Sequence, residues 1–339
     1  MSQTADAGAI VCLGEILIRL GTPAGRQIAD AQSLELVVGG AEANVAVALR
    51  ALGLTTRMCS GLPDNPLGAR ALSALAASGV DTQNVLRAPG RMGLYFLEGG
   101  GSLRPATVIY DRAGSMFAGM TADQIDFDTL FDGARLLHLS GITAALGPNG
   151  LALSRAAIAA ARRAGMTVSF DCNFRETLWN AWNSNPQHDL HALIAQVDIL
   201  FANHRDMTLV LGHSFSGESR NDEAAEAAFV AFPQLKLMAS TARKVSSATH
   251  HHLSARVDLR GARHVTEEIA IPDIVDRVGT GDAFAAGVLL GWAEGRDARD
   301  MAEFGLALCA LKHAIHGDFC RIGRAELSGF KRGAIDIVR

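Results

Sequence analysis

From Ala134 onward the chain alternates short apolar runs with longer helix-forming ones, and this rhythm restricts the fold more than any other feature. ARLLHLSG reads as a strand, LALSRAAIAAARRAG as a helix and MTVSFDCN as a strand. DLHALIAQV, DILFAN, DEAAEAAFVAF and LKLMAS continue as helix, strand, helix and strand. Strands and helices in alternation pack as an α/β fold, a doubly wound and mostly parallel sheet flanked by helices. Upstream, AIVCLG (9–14) is a buried strand, AEANVAVALRALG (41–53) a helix stopped by Gly53, and PLGARALSALAASG another helix. The chain ends in two consecutive helices, DAFAAGVLLGWAEG and ARDMAEFGLALCALKHAIHG. Ligands of such sheets bind beyond the carboxyl ends of the strands.

Two β-rich stretches, 15–37 and 91–112, interrupt this pattern. In the first, short apolar runs around Gly and Pro predict short exposed strands. In the second, LYFLE and ATVIYD flank Gly99, Gly100 and Gly101, which predicts a hairpin. Either these are unrelated surface hairpins, or they form one small sheet lying over the site as a lid. The second organisation gives a core of 1–14, 38–90 and 113–339 with the lid inserted in it. A chain of 339 residues suits one large core with such an appendage.

A net charge of -4 gives no global field for nucleic acid or an anionic membrane. Phosphate ligands would have to be held by local features. Cys12, Cys59, Cys172, Cys309 and Cys320 form no C-x-x-C pair and read as free thiols of a cytoplasmic protein. No signal peptide and no apolar run of membrane-spanning length is apparent.

The segment Asp276-Arg277-Val278-Gly279-Thr280-Gly281-Asp282-Ala283-Phe284 carries the chemistry. Gly279 and Gly281, directly before a helix, let successive amides point outward. Together with the helix dipole these make an anion hole. A carboxylate there is unfavourable unless it reacts, and Asp282 is placed to take a proton from a hydroxyl attacking a phosphoryl group. Taken alone, the fragment also fits a tight loop with Asp282 as N-cap.

DRVGTGDAFAAG resembles the C-terminal signature of the PfkB/ribokinase-like carbohydrate kinases, usually D-T-x-G-A-G-D, with Arg277 and Thr280 as departures. VVGGAEANVAVALRALG resembles that family's N-terminal G-G-x-x-x-N signature. The resemblance implies Asp282 as base and Gly279, Thr280 and Gly281 as anion hole. It also implies Gly39, Gly40 and Asn44 on the sugar side, and Asp276 organising metal and phosphates through water. No Walker A, protein-kinase or dinucleotide fingerprint competes with it.

In VIYDR, period-two alternation puts Val108, Tyr110 and Arg112 on one face. In FDCNFR, Asp171, Asn173 and Arg175 share a face if the segment stays extended. Arg112 and Arg175 converging on one pocket suit a carboxylate or phosphate, although each alone also fits a solvated surface charge. The run from GLYFLE through RPATVIYDRAGS to D-x-N-x-R-x-x-L-W resembles the 2-keto-3-deoxygluconate kinases. That resemblance implies that Tyr95, Tyr110, Arg112 and Arg175 contact a keto acid, whose terminal hydroxyl is phosphorylated from ATP with Mg²⁺. Rival expectations are a fructokinase, a 2-keto-3-deoxygalactonate kinase, or a catalytically silent sugar-binding regulator.

For the nucleotide, Asn203 and Asp206 resemble the family's N-x-x-E motif, with Asp206 reaching magnesium waters. Thr241 and Arg243 resemble a T-x-R variant that touches ATP phosphates. His250, His251 and His252 read as a polar loop near the adenine edge rather than a metal site. His313 and Asp318 are expected beside nucleotide and substrate respectively. Unpaired lid edges favour a homo-oligomer through the lid. A small sugar acid and ATP are the expected partners, without nucleic acid or membrane.

Overall fold

A computed structural model describes residues 8–101 and 103–330. In β1 (Ala9–Leu13) every side chain is buried. Ile10 and Cys12 enter one apolar cluster with Val47, Leu49, Leu289 and Leu308. Val11 and Leu13 enter another with Ile158, Leu190 and Leu193. A strand buried on both faces has no polar position to alternate with, so AIVCL reads as an unbroken apolar run.

The remaining strands are β2 (Leu17–Gly21), β3 (Glu35–Gly39), β4 (Thr56–Pro63), β5 (Val85–Ala88), β6 (Gly93–Glu98), β7 (Thr107–Asp111), β8 (Ala134–Ser140), β9 (Thr167–Asp171), β10 (Ile199–Phe201), β11 (Leu237–Val245), β12 (His251–Leu259), β13 (Ala262–Val265) and β14 (Ile269–Ile271). The main sheet runs β13-β12-β11-β10-β9-β8-β1-β4-β5, with β14 also paired to β12. From β11 to β5 all neighbours are parallel. This is the doubly wound sheet that the alternation predicts.

The edge beyond β11 departs from the expectation. LKLMAS continues to Val245 and folds back antiparallel as β12, with β13 and β14 paired to it. The histidine triplet is therefore not a loop: His251 and His252 open β12, and His251 is buried. From Leu253 the strand alternates apolar Leu253, Ala255, Val257 and Leu259 with Ser254, Arg256 and Asp258, so it is legible in the sequence once the polar histidines at its start are passed.

The second sheet has the order β3-β2-β6-β7 and draws its strands from both β-rich stretches. β6 and β7 pair antiparallel, as the hairpin reading requires. Of the strands of the first stretch, β2 is not exposed as expected, whereas β3 is exposed or half-buried from Glu35 to Val37. Ile18 and Val38 join the main apolar cluster, and Arg19 is buried beside them. β2 is an inner strand, with β3 on one side and β6 on the other.

The closing helices Thr280–Ala293 and Ala298–Lys312 pack through glycines. A Cβ on Gly287 would stand 2.5 Å from the Phe304 carbonyl oxygen. Gly287→Ala gains about 1 kcal/mol of helix propensity. It also forces apart two closely packed backbones, at a cost of about 1–3 kcal/mol. The variant is expected to melt at lower temperature by calorimetry; an equal or higher Tm would show that the helices separate freely.

Candidate active site

The helix Thr280–Ala293 starts at Gly279, which has φ 80°. A Cβ there would overlap the Asp318 carbonyl oxygen, so only glycine fits. The first amides of a helix lack intrahelical partners. Here they border a cleft of about 790 Å³ between the two sheets, lined by Gly279, Thr280, Gly281 and Asp282. Asp282 is not the N-cap that the tight-loop alternative requires, because Gly279 holds that position. Instead Asn44 Nδ2 donates to Asp282 Oδ2 at 2.6 Å. Burial, with the nearby Glu42 and Asp318 charges, raises Asp282 to about 7 against the pull of Asn44 and Arg175. A carboxyl poised there can serve as a general base near neutral pH.

Asp276, expected to act on metal and phosphates through water, lines the cleft with its carboxylate engaged by protein groups. Its Oδ1 accepts from the Val278 amide at 3.0 Å and its Oδ2 from the Gly317 amide at 3.0 Å. The same Oδ2 pairs with Arg19 at 2.8 Å. Burial opposes ionisation, but the Arg19 hydrogen bond and charge prevail and hold Asp276 below its ordinary range. Arg19 also reaches Asp318 Oδ1 at 3.2 Å. Tyr95, expected to offer its hydroxyl to substrate, donates it to Asp318 Oδ2 at 2.6 Å. Gly39 leaves room for the Asp318 carboxylate, and Gly40, at φ 135°, for the Glu15 carbonyl. Arg19 was missed in the sequence because an arginine in a short strand looks like a solvated charge.

On the sugar side Arg112 does not stand free, as the convergence argument assumed. Its Nε donates to Glu15 Oε2 at 2.8 Å, Nη2 contacts the same oxygen, and the Ser115 hydroxyl donates to Oε1. Its guanidinium lies 5.9 Å from the centre of the half-exposed Tyr110 ring. Arg175 differs: it is exposed, lines the cleft and makes no ion pair among the described residues. The extension invoked for FDCNFR does not hold, since β9 ends at Asp171 and Asn173 has φ 36°. The turn nevertheless keeps Asp171, Asn173 and Arg175 at the cleft. Asp171 is raised to about 8 by burial and by the Asp282 and Asp206 charges. Glu42, unanticipated from sequence, is buried at the cleft and accepts from the Ser140 hydroxyl at 2.6 Å.

Of the expected nucleotide residues, Arg243 lines the cleft beside Arg277, whereas Asn203, Asp206, Thr241 and His313 do not. Asp206 closes a capping box on the helix His204–Leu211, accepting from the Asn203 amide at 2.8 Å, and so is not free to reach outward. His313 is buried, with Nδ1 2.7 Å from the Cys309 carbonyl oxygen and its ring 6.2 Å from that of His251. Among the described residues no three His, Cys, Asp or Glu side chains stand close enough to hold a metal ion.

This geometry can bind an anion at a helix start and remove a proton from a hydroxyl beside it. The profile of the pfkB family carbohydrate kinases matches residues 8–317. The chain belongs to that family. It is 33% identical over 324 residues to the 2-dehydro-3-deoxygalactonokinase of Haloferax volcanii, covering 96% of each chain. It is 29% identical over 289 residues to the 2-dehydro-3-deoxygluconokinase of Bacillus subtilis, covering 83% of this chain and 82% of that one. The crystal structure of the Thermotoga maritima 2-dehydro-3-deoxygluconokinase superimposes with a TM-score of 0.90 at 37% identity, over 95% of this chain and 98% of that one. The protein is thus a pfkB sugar kinase with the ribokinase-like α/β fold and a smaller second sheet.

In this pfkB kinase the Arg19 pairs predict a stability effect. Removing one partner of a buried pair leaves an uncompensated charge and costs about 3–5 kcal/mol. Arg19→Met, which strands both Asp276 and Asp318, is expected to lower the unfolding free energy from urea titration by that order, with a lower midpoint. A midpoint unchanged from wild type would show that water reaches these carboxylates.

Proposed function

We propose that this kinase transfers the γ-phosphoryl group of ATP to the terminal hydroxyl of 2-keto-3-deoxygluconate, giving the 6-phosphate and ADP, with the small sheet as its lid. The observation that carries the reading is Arg175, exposed in the cleft and free of ion pairs among the described residues. Glu15, Glu42, Asp171, Asp282 and Asp318 make the same cleft acid-rich. A substrate carboxylate would be repelled there without a cation to receive it, and Arg112 is already engaged by Glu15.

In this mechanism the hydroxyl oxygen attacks the γ-phosphorus, the bond to the ADP oxygen breaks, and the hydroxyl proton passes to Asp282. Asn44 aims the carboxylate, and the amides at Gly279–Asp282 receive the negative charge of the transferred group. Arg243 and Arg277 face the triphosphate. Magnesium would be held through water: Asp171 and Asp276 both line the cleft, Asp276 engaged by Arg19 and the Gly317 amide and Asp171 with its charge resisted by neighbouring carboxylates. Bound with ATP, the ion would neutralise phosphate charge.

A second reading is the C4 epimer, 2-keto-3-deoxygalactonate, favoured by the likeness to the Haloferax volcanii enzyme. ADP release measured with both keto acids, fructose and ribose separates the readings. Turnover is expected with the keto acids, and fastest with 2-keto-3-deoxygluconate. Preference for the epimer would install the second reading, and turnover confined to the neutral sugars would sink both.

Asp282→Asn is expected to lower kcat by roughly 10²–10⁴-fold. In the wild type kcat/KM should fall as pH drops through about 7, because protonation of the raised carboxyl removes the base. A flat profile from pH 5 to 8, on the order of the histidine titration range, would exclude Asp282 as the titrating base.

Arg175→Ala is expected to raise KM for the keto acids roughly ten- to a hundredfold, the worth of a hydrogen bond to a charged group. Any turnover of fructose should be unaffected. Equal losses for acidic and neutral sugars would show that Arg175 does not read the carboxylate.

A further inference from the structure

Lys312, at the end of the helix Ala298–Lys312, is fully buried, and the chemistry above does not use it. Burying an ammonium ion costs several kcal/mol unless its surroundings return that energy. The surroundings here are specific. Nζ donates to the Ile315 carbonyl oxygen at 2.9 Å. Burial, the largest effect, holds its pKa below the ordinary lysine range, and Arg19 adds to this, while Asp276 and Asp318 favour the charged form. Its Cε lies 3.5 Å from where a Cβ on Gly279 would stand, directly against the turn that opens the anion hole.

The ammonium touches the Ile315 carbonyl oxygen, which lies among the elements that frame the anion hole. Asp276 holds the Val278 amide before the hole and the Gly317 amide after the last long helix. The Asp318 carbonyl oxygen fills the space beside Gly279. Ile315 lies in the segment between these anchors. A helix C-cap alone would not require a charge at this depth, since a neutral amide can donate to a carbonyl equally well.

We propose that Lys312 is a positioning residue for phosphoryl transfer: its buried ammonium group, behind Gly279, fixes the anion-hole turn and lends it positive charge. The charge is preorganised, so it needs no rearrangement as negative charge builds on the transferred group. The proposal rests on the reading of this cleft as a kinase site, and it adds a residue outside the cleft lining.

The test compares wild type, Lys312→Gln and Lys312→Arg. The glutamine keeps a donor for Ile315 but removes the charge; the arginine keeps the charge. Lys312→Gln is expected to fold, to lose roughly 10²-fold or more in kcat with sugar KM within about threefold, and to bind ATP roughly tenfold more weakly by calorimetry. Lys312→Arg, or ammonium chloride added to Lys312→Gln, should recover part of the kcat. A folded Lys312→Gln with kcat and ATP affinity within about threefold of wild type would overturn the proposal. So would a glutamine variant that fails to fold, because the ammonium would then serve the fold itself. Wild type inactive on every sugar would sink the functional reading instead, and the ATP-binding comparison would still decide the part played by Lys312.

Discussion

The Arg19 guanidinium lies in the interior between Asp276 and Asp318, and the other parts of the site are organised around it. Arg19 sits on β2 of the small sheet, Asp276 on the loop before the anion hole, and Asp318 on the segment after the last long helix. Tyr95 on β6 adds a second tie from the small sheet to Asp318. Exposed pairs of this kind contribute about 0–1 kcal/mol. Buried ones act differently, because any separation strands charges away from water. The small sheet and the glycine turn at the start of the helix Thr280–Ala293 are therefore joined as one electrostatic unit.

The second organising constraint is the crowding of carboxylates. Asp171, Asp282 and Glu42 are all raised, each first by burial, and neighbouring carboxylates add to it at Asp171 and Asp282. Burial first, and this crowding after it, bring the Asp282 carboxyl to about 7 instead of leaving it permanently ionised. It also fixes what the cleft can accept: an anionic sugar needs a cation that is not already spent. Arg112 is spent on Glu15, and Arg175 is not. Glu15 sits where the chain passes from β1 to β2, and Gly40 and Gly93 leave room for it at two further crossings between the sheets. Arg112 and Ser115 close on it from the far side of β7. Its carboxylate thus pins the junction of the two sheets.

Likeness to enzymes acting on both C4 epimers covers nearly the whole chain. A shared carboxylate-bearing substrate class is compatible with one arrangement of base, anion hole and free arginine, whereas the epimers differ at a single carbon in the middle of the substrate.

The sequence determined the parallel sheet, the glycine turn and its acid, because each rests on neighbours in the chain. Short unbroken apolar runs between helices bury a strand on both faces of a parallel sheet, and Gly-x-Gly before a helix turns its amides outward. The role of Gly39 was less legible: sequence placed it at the sugar side, and only the fold showed the Asp318 carboxylate it makes room for. The tertiary structure alone decided which charges are free. Asn44 meets Asp282 across 238 positions, Tyr95 meets Asp318 across 223, and Arg112 meets Glu15 across 97. An arginine looks the same in sequence whether it is solvated, structural as Arg19 is, or open to a ligand as Arg175 is. Coulomb interactions fall with distance in space and not along the chain, so only the fold could tell them apart.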